Sequence, residues 1–323
     1  MRVVQVHRFG GPEELVMGYA PDPVTGPDQV VVEVEVAGMT FVETQIRRGT
    51  DPWHEPPRLP YVPGGLVAGR VSGLGPGVDA AWLGRRVIAG TGDTGGFAER
   101  AAASVTDLFP VPDGLGLPEA VALYSDGSTA QGLVEHAPLD RGQWVLVEAA
   151  AGGVGSLLVQ LAQAAGARVI GAARGRQKLD AIRELGADAA VDYSAADWTE
   201  QVLEVTGGKG PDVVFDGVGG GIGRAAFEVT ARGGRFSVHG AASGEATVID
   251  PADARARGVE VLGIEQLFGF RPHVPRWARQ IMTQAASGLV RPLIGRTYPL
   301  ERAADAHAAI ENRTALGKTL LLL

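Results

Sequence analysis

The run Val145-Leu146-Val147-Glu148-Ala149-Ala150-Ala151-Gly152-Gly153-Val154-Gly155 reads as a strand, a turn with little side-chain bulk and the start of a helix. Such a turn can hold a pyrophosphate, because the first amides of a helix are unsatisfied and its dipole favours negative charge. Gly152, Gly153 and Gly155 allow close backbone approach, and with Ala151 and Val154 they are the candidate phosphate contacts. A glycine triplet alone often only ends a strand. Its position between strand and helix, at the head of repeated β-α units, points to a dinucleotide. The next strand ends Val169-Ile170-Gly171-Ala172-Ala173-Arg174, about 20 residues on, where an NAD site places Asp or Glu on the ribose hydroxyls. No acid stands there. Arg174, Arg176 and Lys178 gather instead, a cationic group suited to a 2′-phosphate at roughly 1.5–3 kcal/mol per charge-assisted hydrogen bond. The alternative is a solvated helix start running to Leu185. NADPH is the expected cofactor over NADH.

The elements that must position these residues divide the chain. Residues 1 to about 115 are broken every 8 to 12 residues by Gly and Pro, the rhythm of an irregular all-β unit. Its clearest strand is Val30 to Val36, with Glu33 and Glu35 facing away from Val32, Val34 and Val36. From about 120, apolar strands alternate with helical stretches: Trp144–Ala149, Ala167–Ala172, Ala189–Asp192, Asp212–Asp216, Arg235–His239 and Val259–Ile264. Repeated β-α-β units predict a doubly wound parallel sheet. Two later helical patterns, Arg276–Gly288 and Leu300–Asn312, and a last strand, Lys318–Leu323, are expected to fold back onto the N-terminal unit. The fold class is therefore α/β, with residues 1–119 and 265–323 as one domain and 120–264 as the nucleotide domain.

Composition narrows the function. With 45% hydrophobic and 20% charged residues the chain is an ordinary soluble globular one, and its longest aliphatic run, Leu320 to Leu323, is far short of a membrane span of about 20 residues. The N-terminus reads as a strand and not a signal peptide, so the expected location is cytoplasmic, with no membrane partner. A net charge of -8 and the lack of a basic, aromatic-interleaved patch argue against nucleic acid as a partner. The chain has no cysteine, which removes disulfides, thiolate nucleophiles and cysteine-containing zinc sites.

Ala149 to Gly155, Gln177-Lys178, Gly186-Ala187 and Val191-Asp192-Tyr193 resemble the zinc-independent quinone oxidoreductases of the medium-chain dehydrogenase/reductase superfamily, the group that includes zeta-crystallin. The similarity continues in order through Gly10 to Glu13, Ala37-Gly38, Val42 to Arg47, Leu59 to Gly64, Val67 to Gly69, and Arg291 to His307. The resemblance implies a GroES-like β-barrel catalytic domain completed by the C-terminus, an inserted Rossmann-type domain, NADPH, hydride transfer to quinones or activated alkenes, and a homodimer. It also implies that Lys178 and Arg313 reach the 2′-phosphate and Tyr193 the adenosine ribose. Thr129 would lie near the nicotinamide-side phosphates, and Val238-His239-Gly240 beside the nicotinamide ribose. Packing at a strand end for Tyr193, the surface for Arg313 and a helix cap for Thr129 remain the alternatives.

A zinc relative would place Cys in the Gly38-Met39-Thr40 region and Gly-His-Glu near 64–66, where this chain has Gly64-Gly65-Leu66. The six histidines, His7, His54, His136, His239, His273 and His307, include no pair at ligand spacing, so no metal is expected. The chemistry then rests on proximity, with an electrophilic carbon held against the nicotinamide in a dry cleft between domains. Thr40, Gln45, Trp53 and Tyr61 are the candidate substrate contacts, with packing or surface roles as the alternative. Thr40, Gln45 and Leu66 replace an asparagine, a tyrosine and an acidic residue common in the family, which leaves the substrate open. Three functions follow. The first is an NADPH-dependent, metal-free reductase of small apolar quinones or α,β-unsaturated carbonyl compounds. The second is an enoyl thioester reductase of secondary metabolism, and the third a non-catalytic, crystallin-like nucleotide binder.

Overall fold

Short alternating runs between Gly and Pro build the first part of the chain, as β1 (Arg2–Val6), β2 (Leu15–Tyr19), β3 (Gln29–Gly38), β4 (Leu66–Leu74), β5 (Arg86–Gly90), β6 (Arg100–Ser104) and β7 (Leu108–Pro110). Helices α1 (Phe41–Arg48) and α2 (Leu117–Ala122) accompany them. The computed structural model describes residues 1–323, in two compact units: Met1–Ser125 with Ile294–Leu323, and Asp126–Leu293. In β3 the valines at 30, 32, 34 and 36 are buried while Glu33 and Glu35 are exposed, as the period-two pattern requires.

The second unit alternates helix and strand: α3 (Ser128–His136), β8 (Trp144–Glu148), α4 (Gly153–Ala164), β9 (Arg168–Ala173), α5 (Arg176–Glu184), β10 (Ala189–Asp192), α6 (Trp198–Val205), β11 (Val213–Asp216), α7 (Gly220–Val229), β12 (Arg235–Val238), α8 (Pro251–Arg257), β13 (Glu260–Leu262) and α9 (Val274–Ala286). Its six strands run parallel in the order β10-β9-β8-β11-β12-β13. The chain starts in the middle at β8, moves outward one way and then returns to lay β11 on the other side. The β8/β11 boundary is thus the point of reversal, where open parallel sheets bind ligands.

The chain then returns to the first unit as β14 (Ile294–Pro299), α10 (Ala303–Glu311) and β15 (Lys318–Leu322). β15 pairs antiparallel with the end of β3, Leu320 opposite Gly38 and Leu322 opposite Val36, while β6 pairs with the beginning of β3. Phe97, Tyr61, Tyr298 and Leu321 close the core beside the β3 valines. His307 on α10 is fully buried, edge-on to Phe97 at 5.9 Å, a packing position. No helix is long and apolar enough to cross a membrane.

The unit limits correct the sequence boundaries of 119/120 and 264/265. The pattern at 276–288, as α9, packs in the second unit and not on the N-terminal one. The cause lies in small residues near the facing helix. A Cβ on Gly132 would come within 2.7 Å of the Phe270 and Trp277 rings, and one on Gly127 within 3.0 Å of Ile281. These positions form a groove into which Trp277 and Ile281 fit, both fully buried. Arg276 and Glu135 then form a two-bonded ion pair at 2.8 and 2.7 Å. Helical periodicity predicts that α9 has an apolar face, but not which groove receives it.

In the first unit, Arg47 of α1 is wholly buried and pairs with Glu311 of α10, while its Nε and Nη1 make no hydrogen bond. Removing one partner of a buried pair strands the other charge, at a cost of about 3–5 kcal/mol. Glu311→Gln should therefore lower the urea transition by that order. The pair Arg47→Met with Glu311→Gln should recover most of the loss, and equal losses in the single and double variants would contradict this.

Candidate active site

The glycine turn lies at the point of reversal. β8 ends at Glu148, Ala149 turns the chain with φ +47, and Gly152 in extended conformation precedes α4. The N-cap of α4, Gly152, brings no side chain of its own. A Cβ on Gly155 would lie 2.4 Å from the Ala149 carbonyl oxygen and 2.9 Å from Ala150 Cα, so only glycine lets the helix start this close to the turn. On Gly153 a Cβ would lie 1.8 Å from a carboxylate oxygen of Asp126. Ala151 is buried beneath the turn. A glycine N-cap with close backbone approach fits a pyrophosphate.

One strand over, β9 delivers Arg174 at its exposed C-terminal end. Gly175, at φ +87, donates its N–H to Asp192 at the end of β10 over 3.0 Å. Burial works against ionisation of Asp192, but hydrogen bonds from Ser194 and Gly175 and the Arg174 charge outweigh it and hold the carboxyl below its usual range. Asp192 thus ties the turn that carries Arg174 to the strand end that carries Tyr193. Lys178, half-buried in the first turn of α5, completes this corner. Arg176 instead points to solvent, 3.7 Å from Asp180, the solvated helix start weighed above. Arg313 belongs to the other unit, its guanidinium 4.4 Å from the Phe41 ring centroid. Thr129 is the second residue of α3, whose N-cap is Gly127, so it does not cap that helix.

Beneath the turn lies a polar cluster of which the sequence reading named only His239 as a candidate. Glu148, Asp216 and His239 come from the ends of β8, β11 and β12. Asp216 is fully buried and accepts N–H bonds from Val218 and Gly219 and an O–H bond of 2.6 Å from Thr247. Glu148 is also fully buried, and neither oxygen has a partner in good hydrogen-bond geometry. Burial, reinforced by the Asp216 carboxylate, raises the Glu148 carboxyl well above its usual range. Burial pushes the His239 imidazole down to about 4, against the pull of Asp216. Val238 is buried, and a Cβ on Gly240 would meet the Gly217 carbonyl oxygen at 2.6 Å, so the ends of β11 and β12 converge here.

The first unit holds a cavity of about 120 Å³, lined among others by Thr40, Glu43, His54, Leu66, Ser125 and Lys318. Thr40 and Glu43 form a capping box at the start of α1: a Glu43 oxygen accepts from the Thr40 N–H at 2.7 Å. The other Glu43 oxygen accepts from Gly65 at 3.2 Å and ties α1 to the 64–66 loop. Burial raises the Glu43 carboxyl, while these N–H groups and the Lys318 charge draw it down. Of the candidate substrate contacts only Thr40 lines this cavity. Gln45 sits on α1 about 200° round from Glu43 and is buried elsewhere. Tyr61 is a core residue whose phenol burial pushes up to about 12, and Trp53 is partly exposed. His54 reaches the cavity with Nδ1 2.8 Å from Asp51. Thr40-x-x-Glu43 was visible in the sequence as a capping signature; Lys318, in Leu316-Gly317-Lys318-Thr319, lies in a C-terminal motif that resembles one recurrent in the superfamily and reads from sequence as a strand-start charge.

Comparison with known proteins agrees with this architecture. Residues 26–113 match the alcohol dehydrogenase GroES-like domain family and residues 153–275 the zinc-binding dehydrogenase family. The chain is 32% identical to the quinone oxidoreductase of Rattus norvegicus over 326 residues, covering 100% of this chain and 98% of the relative. It is 31% identical to the 2-haloacrylate reductase of Burkholderia sp, covering 98% and 97%. Escherichia coli quinone oxidoreductase, solved in complex with NADPH, superimposes with a TM-score of 0.91 at 28% identity, over 100% of both chains.

Glu148 gives the second unit a measurable signature. A carboxyl raised in the folded state holds its proton while the unfolded chain releases it, so its contribution declines as pH rises above the ordinary carboxylate range. Glu148→Gln should therefore gain on the wild type between pH 5 and 8, by up to roughly 1.4 kcal/mol per pH unit. Urea unfolding of both proteins across that range checks it, with His307, in the other unit, titrating in both and cancelling in the difference. A difference that stays flat with pH would refute the buried neutral acid.

Proposed function

For a chain that belongs to the quinone oxidoreductase family of the medium-chain dehydrogenase/reductase superfamily, we propose an NADPH-dependent, metal-free reductase of compact quinones and α,β-unsaturated carbonyl compounds. The observation that carries the cofactor reading is the corner at the ends of β9 and β10, where Arg174, Lys178 and Tyr193 stand and no acid follows β9. An acid there would repel a 2′-phosphate, whereas two cations favour it. The glycine-capped start of α4 is suited to supply N–H groups for the pyrophosphate. Val238, His239 and Gly240, at the convergence of β11 and β12, are suited to the nicotinamide ribose.

NADPH, when bound, supplies the hydride. The chain's own residues hold the acceptor, exclude water and manage charge on the acceptor's oxygen. The cavity is close in size to one that takes a benzene ring, which favours a single-ring quinone or short enone over a long acyl chain. The Burkholderia relative is named for a haloacrylate, an alkene conjugated to a carboxylate, in keeping with conjugated acceptors. Support for metal-free chemistry is the presence of Thr40, Gly65 and Leu66 around the cavity, none a strong ligand. β13 is the edge strand next to β12, which supports dimerisation across that edge.

The purified protein should oxidise NADPH with 1,4-benzoquinone and short alkenals. Tight NADPH binding without turnover across a broad panel would overturn the reductase reading. Lys178→Ala should weaken NADPH by roughly 10- to 100-fold, following the loss of one charge-assisted bond, and leave NADH nearly unchanged. Fluorescence titration measures both, and similar affinities of the wild type for the two cofactors would remove the 2′-phosphate assignment.

A further inference from the structure

Lys318 is the first residue of β15, and it is 4% exposed. Its Nζ donates to the Ser125 hydroxyl at 3.2 Å, and the residue lines the cavity with Thr40 and Glu43. A lysine is rarely buried without a role, because an ammonium loses much of its hydration there. Most strand-start lysines extend their charge to water, whereas this one is turned inward at a space large enough for one ring. The Glu43 carboxylate partly offsets the charge, but that carboxylate is already committed to the Thr40 and Gly65 N–H groups. His54 and Asp93 are the other titratable groups lining the cavity.

We propose that the Lys318 ammonium polarises the acceptor's carbonyl oxygen in this cavity and then protonates it, with Glu43 as a positioning residue. The proposal rests on the reductase reading above and goes beyond it by naming the group that handles the oxygen. As hydride adds to the electrophilic carbon, the conjugated π pair moves onto the carbonyl oxygen. That oxygen takes a proton from the ammonium, giving the enol, or for a quinone the keto tautomer of the hydroquinone, which then passes the ring-carbon proton to water as its second oxygen takes one up; the neutral amine regains a proton from water. A fixed cation in a site of low dielectric stabilises such an oxyanion more than water does, and losing one donor of this kind costs roughly 10²- to 10³-fold in turnover.

The first test needs no cofactor. 4-Nitrophenol, a one-ring phenol whose ionisation is seen by absorbance, is titrated with pH in the presence of the wild-type protein. Binding to the ammonium should lower its apparent pKa by about one unit, a tenfold preference for the anion. Lys318→Met, which keeps chain length without charge, should abolish the shift, and Lys318→Arg should retain it. Circular dichroism checks that each variant folds; should Lys318→Met not fold, Lys318→Gln takes its place, and a shift kept by Lys318→Arg and lost in Lys318→Gln decides the matter. In single turnovers at saturating NADPH, Lys318→Met should slow hydride transfer by roughly 10²- to 10³-fold with the NADPH dissociation constant little changed. Weaker NADPH binding with an unchanged rate and an unchanged nitrophenol shift would overturn the proposal, because the lysine would then serve the cofactor. No shift in the wild type would overturn it as well. A shift that depends on Lys318, in a protein that reduces no quinone or enone, would sustain the anion site and overturn the reductase reading.

Discussion

Antiparallel pairing of β15 with the second half of β3 is the constraint on which the candidate active site depends. It sets Leu320 against Gly38 and Leu322 against Val36, and so carries residue 318 to the start of α1. β3 can accept this partner because its ladder is divided: Gln29–Glu33 bond to β6, and Val36–Gly38 to β15. Strand pairing is the cheapest way to join distant parts of a chain, since each ladder bond satisfies backbone groups that burial would otherwise leave unpaired. Leu320 and Leu321 anchor the pairing by full burial. The aliphatic C-terminus is therefore the segment that aims Lys318, and not a spare tail.

Both units keep charged or titratable groups away from water, and each solves the desolvation problem differently. Arg47 is neutralised by Glu311 while two of its nitrogens go without hydrogen bonds. Glu43 gathers backbone N–H groups from two segments and sits near Lys318. Glu148 finds no such donors and retains its proton instead. His239 and His307 stay neutral for the same reason, their imidazoles pushed down to about 4 and about 3 by burial. Pairing, solvation by the backbone and neutralisation are the three routes open to a buried ionisable group. The cavity differs in keeping an ammonium at its wall, where a polar ligand can use it.

Much of the nucleotide unit was legible in order of residues. The apolar runs at 144–148, 168–173, 189–192, 213–216 and 235–238 formed strands within two residues of their expected limits. The turn at Gly152 to Gly155 proved to need glycine for the reason its spacing suggested, the close approach of Ala149 and Ala150. Such features depend on neighbours in the chain, where side-chain alternation and turn chemistry act locally. The destination of α9 was not legible, because Gly132 accepts Trp277 and Gly127 accepts Ile281 from more than 140 residues away, and nothing in either segment names the other. Gln45 and Tyr61 failed as cavity residues for a related reason: one is on the wrong side of α1, and the other's ring completes the core of the first unit.

By itself the sequence determined the α/β class, the β-α rhythm, the glycine cradle, the cationic end of β9 and the absence of cysteine. These follow from residue type and short-range period, which set backbone conformation and exposed face. The tertiary structure alone decided that α9 belongs with the nucleotide unit, that Glu148 and Asp216 share a dry site, and that Lys318 meets Glu43 in one cavity. Each of those outcomes depends on burial, and burial is a property of which distant surfaces pack together. Lysine 318 is an ordinary strand-start charge in the sequence; only the β3–β15 ladder turns it inward.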